Sequence, residues 1–326
     1  LDDHQVYLDH WPAVLWDSFF YDVSHHFQQN RILTHVSWYL QLVLYAPSPA
    51  RLFGFHALNM AMHLINAILV YGLVRCLGAS FPAAAFTSIL FAVHPSNMEA
   101  VSYLYGRSDL QVTAFMLGTL LLLKKFPRRA WAAGLCACAA ALTKETAVVL
   151  PVLHLLVLYV LPSKTFSQKK TSLLISSAAA AAALAGFLFL KTDHADNFGY
   201  GVPNAVEYLM LQPFCLFVGL IRVVVPAGFY IVYQYELPRS LLDARIIGSI
   251  VFGILAAWYS LRRYKNGQPV YLFALGWYLA AMAPTNSVVP RIDQLSDRHL
   301  YLALIGPMWA LSTWAEEAWI RRGNGI

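Results

Sequence analysis

The sequence is poor in charged residues. Asp, Glu, Lys and Arg make up only 12% of the 326 residues, whereas hydrophobic residues make up 59%. Several apolar runs are long enough to cross about 30 Å of hydrocarbon, and a soluble domain of this size needs no such number. The composition therefore predicts an integral membrane protein.

Cysteine is also scarce. The four cysteines, Cys76, Cys136, Cys138 and Cys215, all lie in or beside apolar runs. They are expected to be small buried residues, so a disulfide framework is not predicted, and the Cys136–Cys138 spacing is not that of a metal site. The net charge of +6 does not indicate nucleic acid binding, because the basic residues cluster between the hydrophobic runs.

The apolar runs predict an all-α fold, a polytopic bundle of transmembrane helices. We predict spans at about 54–75, 82–98, 109–124, 130–144, 147–161, 172–190, 245–261, 268–286 and 299–318. Residues 1–53 are then a first outer loop, and residues 54–326 form a bundle with about nine spans.

The basic loops between these runs predict the orientation. Loops rich in Lys and Arg lie at 124–129, 163–170, 262–265 and 321–322. Such loops stay on the cytoplasmic side. The segments 1–53, 94–109, 143–146, 191–207 and 286–298 then share the opposite, outer side, which is a periplasmic or luminal compartment.

The apolar segment 207–225 does not fit as a further span alongside the nine predicted ones. A single crossing there would place Arg262 and Arg321 on the outer side, against the orientation of the other basic loops. Tyr230 and Tyr233 farther along suit the interface between membrane and water. We therefore expect residues 207–239 to lie along the outer interface or to re-enter the membrane.

The outer segments carry short polar motifs in a fixed order. They are Asp2-Asp3-His4, Gly54-Phe55-His56-Ala57-Leu58-Asn59, His94-Pro95 through Glu99-Ala100-Val101 to Gly106-Arg107-Ser108-Asp109, Thr143-Lys144-Glu145-Thr146 and Asp297-Arg298-His299-Leu300-Tyr301-Leu302. This series resembles the membrane part of the tetratricopeptide-repeat-linked O-mannosyltransferases and their bacterial relatives. Those enzymes belong to the GT-C superfamily of glycosyltransferases, which use polyprenyl-phosphate sugars. The His94–Asp109 block is the most specific part of the resemblance.

Two features depart from that family. The family usually carries a tetratricopeptide array after its last helix, and this sequence shows no 34-residue period. Its closing motif more often reads Ala-Glu-Arg-Tyr-Leu-Tyr, so Asp297 and His299 differ from it. The acceptor and the sugar are therefore less firmly implied than the superfamily.

The resemblance implies sugar transfer from a polyprenyl phosphate to a hydroxyl group of a protein or glycan, with inversion at the sugar carbon. The family's acidic first loop matches Asp2 and Asp3, and we expect Asp3 to be the base because it lies farther from lipid. Two adjacent carboxylates oppose each other's ionisation, so one of them is expected to have a raised pKa. The alternative for this pair is a solvated loop position.

Departure of the phosphate needs cations on the outer side, where fixed charges are strong if water is excluded. Arg107, Lys144 and Arg298 lie in the matched motifs, and we expect them to bind the donor phosphate. The alternative is that Lys144 and Arg107 only neutralise Glu145 and Asp109 at helix ends.

His56, Asn59, His63 and Asn66 are spaced to form one polar stripe along a helix. Such a stripe faces protein or a water-filled cavity. His56 is predicted to line the sugar pocket, whereas His63 and Asn66 are predicted to make hydrogen bonds between helices. Ligation of haem or a pigment is a weaker alternative, since no helix shows paired histidine spacing.

The remaining motif residues are expected in the substrate pocket. They are His94, Glu99, Glu145, Asp297 and Tyr301. Glu99, with Asp2 or Asp3, would suit Mg²⁺ or Mn²⁺. Related enzymes are thought to work without a metal, so none is assigned.

Two other classes of function stay open. A non-catalytic subunit of a larger membrane complex would keep this fold and lose the chemistry. A transporter would explain polar residues within the membrane, but the sequence has no inverted repeat and no pair of broken helices.

Overall fold

The structure, a computed structural model, describes residues 31–45, 51–159, 169–189, 204–230, 233, 235–240, 242–286, 290 and 294–323. Over these residues the chain is helical and contains no strand. This confirms the all-α prediction for the described part. The Asp2–Asp3 pair lies outside the described residues.

Thirteen α-helices occur in the described residues. In chain order they are α1 (Ile32–Tyr45), α2 (Arg51–Cys76), α3 (Phe81–Val93), α4 (Met98–Ser102), α5 (Arg107–Lys125), α6 (Ala130–Ala141), α7 (Leu150–Tyr159), α8 (Lys169–Phe189), α9 (Ala205–Ile221), α10 (Ala244–Lys265), α11 (Val270–Met282), α12 (Asp297–Ala303) and α13 (Ile305–Gly323). Short 3₁₀ turns join several of them, at Pro95–Asn97, Leu104–Gly106, Pro127–Arg129 and Glu145–Val149.

Side chains with an oxygen acceptor fix the starts of three helices. Ser80 accepts a hydrogen bond from Ala83 N at 3.1 Å before α3. Asn204 and Asp243 accept at 2.9 Å from the backbone before α9 and α10. Each bond satisfies one of the N–H groups that a helix leaves without an internal partner.

Two helical segments in the described residues are long and apolar enough to cross a membrane, Phe53–Cys76 within α2 and Ala244–Lys265. Other apolar helices are shorter than the predicted spans. The predicted span 82–98 ends at Val93, because Pro95 lacks the N–H that would continue the helix. The predicted span 147–161 begins as the turn Glu145–Val149 and becomes α-helical only at Leu150.

The core lies between α2, α5, α11, α12 and α13. Helix α5 packs against α2 and α6, while α13 packs against α3 and α11. Trp277 and Trp309 are fully buried there, and the Trp277 indole donates to the Leu302 carbonyl at 2.9 Å. This packing fixes α12 and the motif before it against the turn Pro95–Asn97.

Within the segment 207–239, helix α9 ends at Ile221, and the described residues 222–230, 233 and 235–239 are not helical. Tyr278 donates to the Leu216 carbonyl at 2.6 Å and so joins α9 to α11. Gly219 allows this contact, because a Cβ there would lie 2.5 Å from the Tyr278 hydroxyl. Beyond α9, Arg222 and Tyr233 both contact Asp297, the first residue of α12. Its location at a membrane interface stays a prediction.

Candidate functional site

Glu99 joins two of the sequence motifs. Its carboxylate accepts from the Ser296 hydroxyl at 3.0 and 3.1 Å and from the Arg298 backbone N–H at 3.0 Å. The Arg298 guanidinium also lies 3.7 Å from it. Burial raises the pKa of Glu99, and the Arg298 N–H and charge oppose that rise. Glu99 therefore anchors the first turn of α12.

Gly106 allows the tight turn between α4 and α5 within the 94–109 motif. A Cβ at this position would overlap the carbonyl oxygen of Ala100. The glycine thus lets the turn Leu104–Gly106 close directly against α4. Both Glu99, at the start of α4, and Asp109, in the first turn of α5, belong to this compact unit.

Asp109 and Lys144 form a buried ion pair. Lys144 Nζ donates to Asp109 Oδ1 at 2.6 Å, and only 4% and 8% of the two side chains are exposed. Burial lowers the pKa of Lys144, and the Asp109 charge opposes that fall. The hydrogen-bonded partner of Lys144 is thus Asp109, 35 residues away, and the charge of the adjacent Glu145 also acts on the Lys144 pKa.

Arg107 is fully buried where α1, α2 and α5 meet. Its Nε donates to Asn59 Oδ1 at 2.8 Å and its Nη2 to the Phe55 carbonyl at 3.2 Å, while Ser37 Oγ lies 3.5 Å from Nη1. Burial lowers the pKa of Arg107 to about 10, so it is still a cation near neutral pH. These contacts give Arg107 a role in helix packing; its predicted phosphate role stays a prediction.

Asp297 forms a second buried ion pair, with Arg222. Tyr233 donates to the other Asp297 oxygen at 2.7 Å, and Arg222 donates to the Gly228 carbonyl at 2.9 Å. The guanidinium also stacks 4.4 Å from the Tyr233 ring centre. The chain after α9 is thereby tied to the start of α12.

Tyr301 lies in the core, on the face of α12 toward α2. Its hydroxyl is 2.7 Å from His63 Nδ1 and accepts from Asn66 Nδ2 at 3.1 Å. His63 Nε2 lies 3.0 Å from the Ala92 carbonyl, and Asn66 also donates to the Leu110 carbonyl at 2.9 Å. The predicted hydrogen bonds of His63 and Asn66 between helices are therefore present.

The other predicted pocket residues have different environments. His56 is exposed on α2. His94 is buried, caps the turn Pro95–Asn97 and lies beside the backbone of Arg222 and Val223; burial lowers its pKa. Glu145 is half-buried at the start of the turn that precedes α7.

Four charged residues converge at one end of the bundle: Glu99, Asp109, Lys144 and Arg298. We call them the charged cluster. The pKa of Lys144 responds to Arg298, Glu145 and Arg31 as well as to Asp109, and the pKa of Glu99 responds to Asp109 and Arg298. Hydrogen bonds bring the three motifs together: Lys144 in 143–146 donates to Asp109, and Ser296 and Arg298 donate to Glu99.

Among the described residues, no group of three His, Cys, Asp or Glu side chains is arranged to hold a metal ion. The proposed partners of Glu99 for Mg²⁺ or Mn²⁺, Asp2 and Asp3, lie outside those residues. Arg31, the first described residue, precedes α1 and acts on the Lys144 pKa. Leu33 N donates to the Leu142 carbonyl at 3.2 Å, so the start of α1 lies beside the turn that carries Lys144.

Arg222, Tyr233, Ser296 and Asp109 were not among the predicted site residues. The sequence does contain a feature that indicates Asp109, since this residue closes the Gly-Arg-x-Asp motif. It also contains one that indicates Arg222, which is the only charged residue within the apolar run 208–235. A cation isolated in such a run needs a buried partner, which here is Asp297.

Several curated proteins are similar to this chain and are named protein O-mannosyl-transferases. One from Caenorhabditis elegans is 33% identical over 102 residues, which are 30% of this chain and 14% of that protein. One from Drosophila melanogaster is 35% identical over 100 residues, 29% of this chain and 12% of that protein. One from Mus musculus is 35% identical over 114 residues, 34% of this chain and 11% of that protein.

These matches confirm the resemblance to O-mannosyltransferases that the motifs predicted, over about a third of the chain. The chain covers 11–14% of the length of these three relatives. No family profile matches it, and no solved structure matches it.

Proposed function

We propose that this chain is a membrane glycosyltransferase that moves a sugar from a polyprenyl phosphate to a hydroxyl acceptor on the outer face. The acceptor oxygen forms the new bond to the anomeric carbon while the bond from that carbon to the phosphate oxygen breaks. Polyprenyl phosphate leaves and the acceptor proton passes to a carboxylate. Because this is a single displacement, the anomeric configuration is inverted.

The charged cluster is the observation that carries this proposal. Buried charges are costly unless they are paired, and within the described residues this end of the bundle concentrates several of them. Their convergence from separate motifs is typical of a site and not of a lipid-facing surface. The names of the similar proteins support sugar transfer as the reaction.

Arg298 is our choice of donor-phosphate ligand. Its side chain is partly exposed, at 23%, and its backbone N–H donates to Glu99. Arg107 and Lys144, by contrast, are buried against Asn59 and Asp109. A planar guanidinium suits two phosphate oxygens at once.

Asp3 is our choice of base, with Asp2 as its neighbour. Asp3→Asn keeps the shape of the side chain but removes the basic carboxylate, so the transfer rate should fall by about 10²–10⁴. Donor binding should change little. Arg298→Ala should instead weaken donor binding by about 10- to 100-fold, because a charge-assisted hydrogen bond is lost. The transfer rate and the donor affinity of each variant are measured with the reconstituted protein and a mannosylated polyprenyl phosphate.

Asp243→Asn and Arg245→Ala are matched controls on the same predicted side. They change the same residue types in an ion pair that is partly exposed, at 21% and 36%. Both should leave transfer near the unmodified rate. If Asp3→Asn and Asp2→Asn also transfer at that rate, the assigned base is wrong.

The second candidate is a non-catalytic subunit of a membrane complex. The observation that favours it is the engagement of Arg107 and Asp297 in contacts that stabilise the fold. Complete lack of transfer from any polyprenyl donor by the unmodified protein would make this the better function.

A further inference from the structure

The buried pair of Asp109 and Lys144 has unused hydrogen-bonding capacity. Lys144 Nζ donates to Asp109 Oδ1 at 2.6 Å. Asp109 Oδ2 is buried and accepts no hydrogen bond from the described residues. Leaving a buried carboxylate oxygen without a donor is unfavourable, and an ammonium group has three hydrogens to donate. The pair therefore offers one acceptor oxygen and further donors to a ligand.

The charge of the pair indicates which ligand group fits. Asp109 neutralises Lys144, so the two together attract a phosphate weakly, and Oδ2 itself repels an anion. A hydroxyl group suits both partners, because it can donate to Oδ2 while its oxygen accepts from Nζ. A sugar hydroxyl is a group of this kind.

The position of the pair fits the sugar. Leu33 N donates to the Leu142 carbonyl at 3.2 Å, and Thr34 donates to Gln111 at 2.8 Å. These bonds hold the start of α1 beside α5 and the 142–144 turn. The pair thus lies beside the start of α1 and within electrostatic reach of Arg298.

We propose that Asp109, together with Lys144, binds one hydroxyl of the transferred sugar and so determines which sugars the protein accepts. This inference rests on the proposed function and deepens it. It gives Lys144 a role in sugar recognition in place of the phosphate role expected from sequence. Asp109 accepts through Oδ2, and Lys144 donates to the same hydroxyl oxygen.

The test is a set of mannosylated polyprenyl phosphates, each lacking one hydroxyl of the mannose (2-, 3-, 4- or 6-deoxy). Binding and transfer are measured with the full chain in lipid nanodiscs. For the unmodified protein, one deoxy donor should bind about 10- to 100-fold more weakly than the parent, since the buried groups are left unpaired. The other three should bind within about threefold of the parent.

The variants are Asp109→Leu and the double change Asp109→Leu with Lys144→Met, which removes every polar group of the pair. The double variant leaves no unpaired buried charge, so it is expected to fold even if the single variant does not. In both variants the sensitive deoxy donor should bind within about threefold of the parent donor. Asp243→Leu, a matched change in a partly exposed ion pair outside the cluster, should keep the full discrimination.

The outcomes separate the two proposals. Discrimination at one hydroxyl that vanishes in the variants supports the inference. Discrimination that persists in them, or none in the unmodified protein, overturns it and leaves Asp109 and Lys144 as a structural pair. Donor binding with the expected discrimination but no transfer overturns the proposed reaction alone. Absence of both binding and transfer overturns both.

Discussion

Helices α2 and α10 look alike in the sequence but have different surroundings. Both are long and apolar enough to cross a membrane, yet 39% of the α2 span is buried within the protein and only 17% of α10. On α2, Asn59, His63 and Asn66 are all buried and hydrogen-bonded to other helices. On α10, the Ser249 hydroxyl donates back to its own helix, to the Arg245 carbonyl at 2.6 Å.

The difference teaches that polar side chains, and not hydropathy, mark the inner helix. Each polar group on the α2 stripe needs a partner that only another helix supplies. Helix α10 packs against α9 and α11 and leaves Ile254, Leu255 and Trp258 exposed. Three changes of decreasing size test how far this distinction extends.

The largest effect is expected for Arg222→Ala. The change leaves Asp297 buried without its cation, and breaking a buried ion pair from one side costs about 3–5 kcal/mol. Chemical denaturation in detergent measures the free energy of unfolding. Arg245→Ala removes an arginine from a partly exposed pair and should have a much smaller effect. Equal losses in the free energy of unfolding for the two variants would show that burial does not determine how much these ion pairs stabilise the protein.

A smaller effect is expected for Asn66→Leu on α2. The substitution keeps the side-chain size but removes the donors to Tyr301 and to the Leu110 carbonyl. We expect the free energy of unfolding to fall by about 1–2 kcal/mol, since each bond between helices contributes about 0.6 kcal/mol and buried acceptors are left unpaired. An unchanged free energy of unfolding would argue that the stripe has no structural role.

The smallest effect is expected for Ile254→Ala on α10. This side chain is 63% exposed, so its truncation opens no cavity, and the free energy of unfolding should change by less than about 0.5 kcal/mol. Leu73→Ala on α2 is the matched truncation at a buried position, and it should cost about 2–5 kcal/mol. A loss of that size at Ile254 would reveal a covered face of α10.

Periodic and local features were predictable from the sequence. A helix is present at the predicted position 109–124, as α5, Arg107–Lys125, although α5 is not one of the two helices found apolar enough to cross a membrane. The stripe of α2 makes the hydrogen bonds between helices that its spacing indicated. These features depend on residues three or four positions apart, which a helix places on one face.

Partners far apart in the chain were not predictable in this way. Arg222 and Asp297 are 75 residues apart, and no local pattern relates them. Lys144 pairs with Asp109, 35 residues away, although Glu145 is adjacent to it. Tertiary packing decides such pairs, and it also determines that Arg107 contacts Asn59 while the less buried Arg298 is held by Glu99.

Gly106 also bears on whether residues can be inserted into the segment before α5. Since a Cβ at Gly106 would overlap the Ala100 carbonyl, the turn before α5 has no space for a side chain at this position. An insertion between Glu99 and Arg107 that was absorbed by α5 would rotate Asp109 by about 100° around the helix axis, away from Lys144. The number of residues between Glu99 and Asp109 is therefore constrained. Related chains that have both acids should show no insertion or deletion between them.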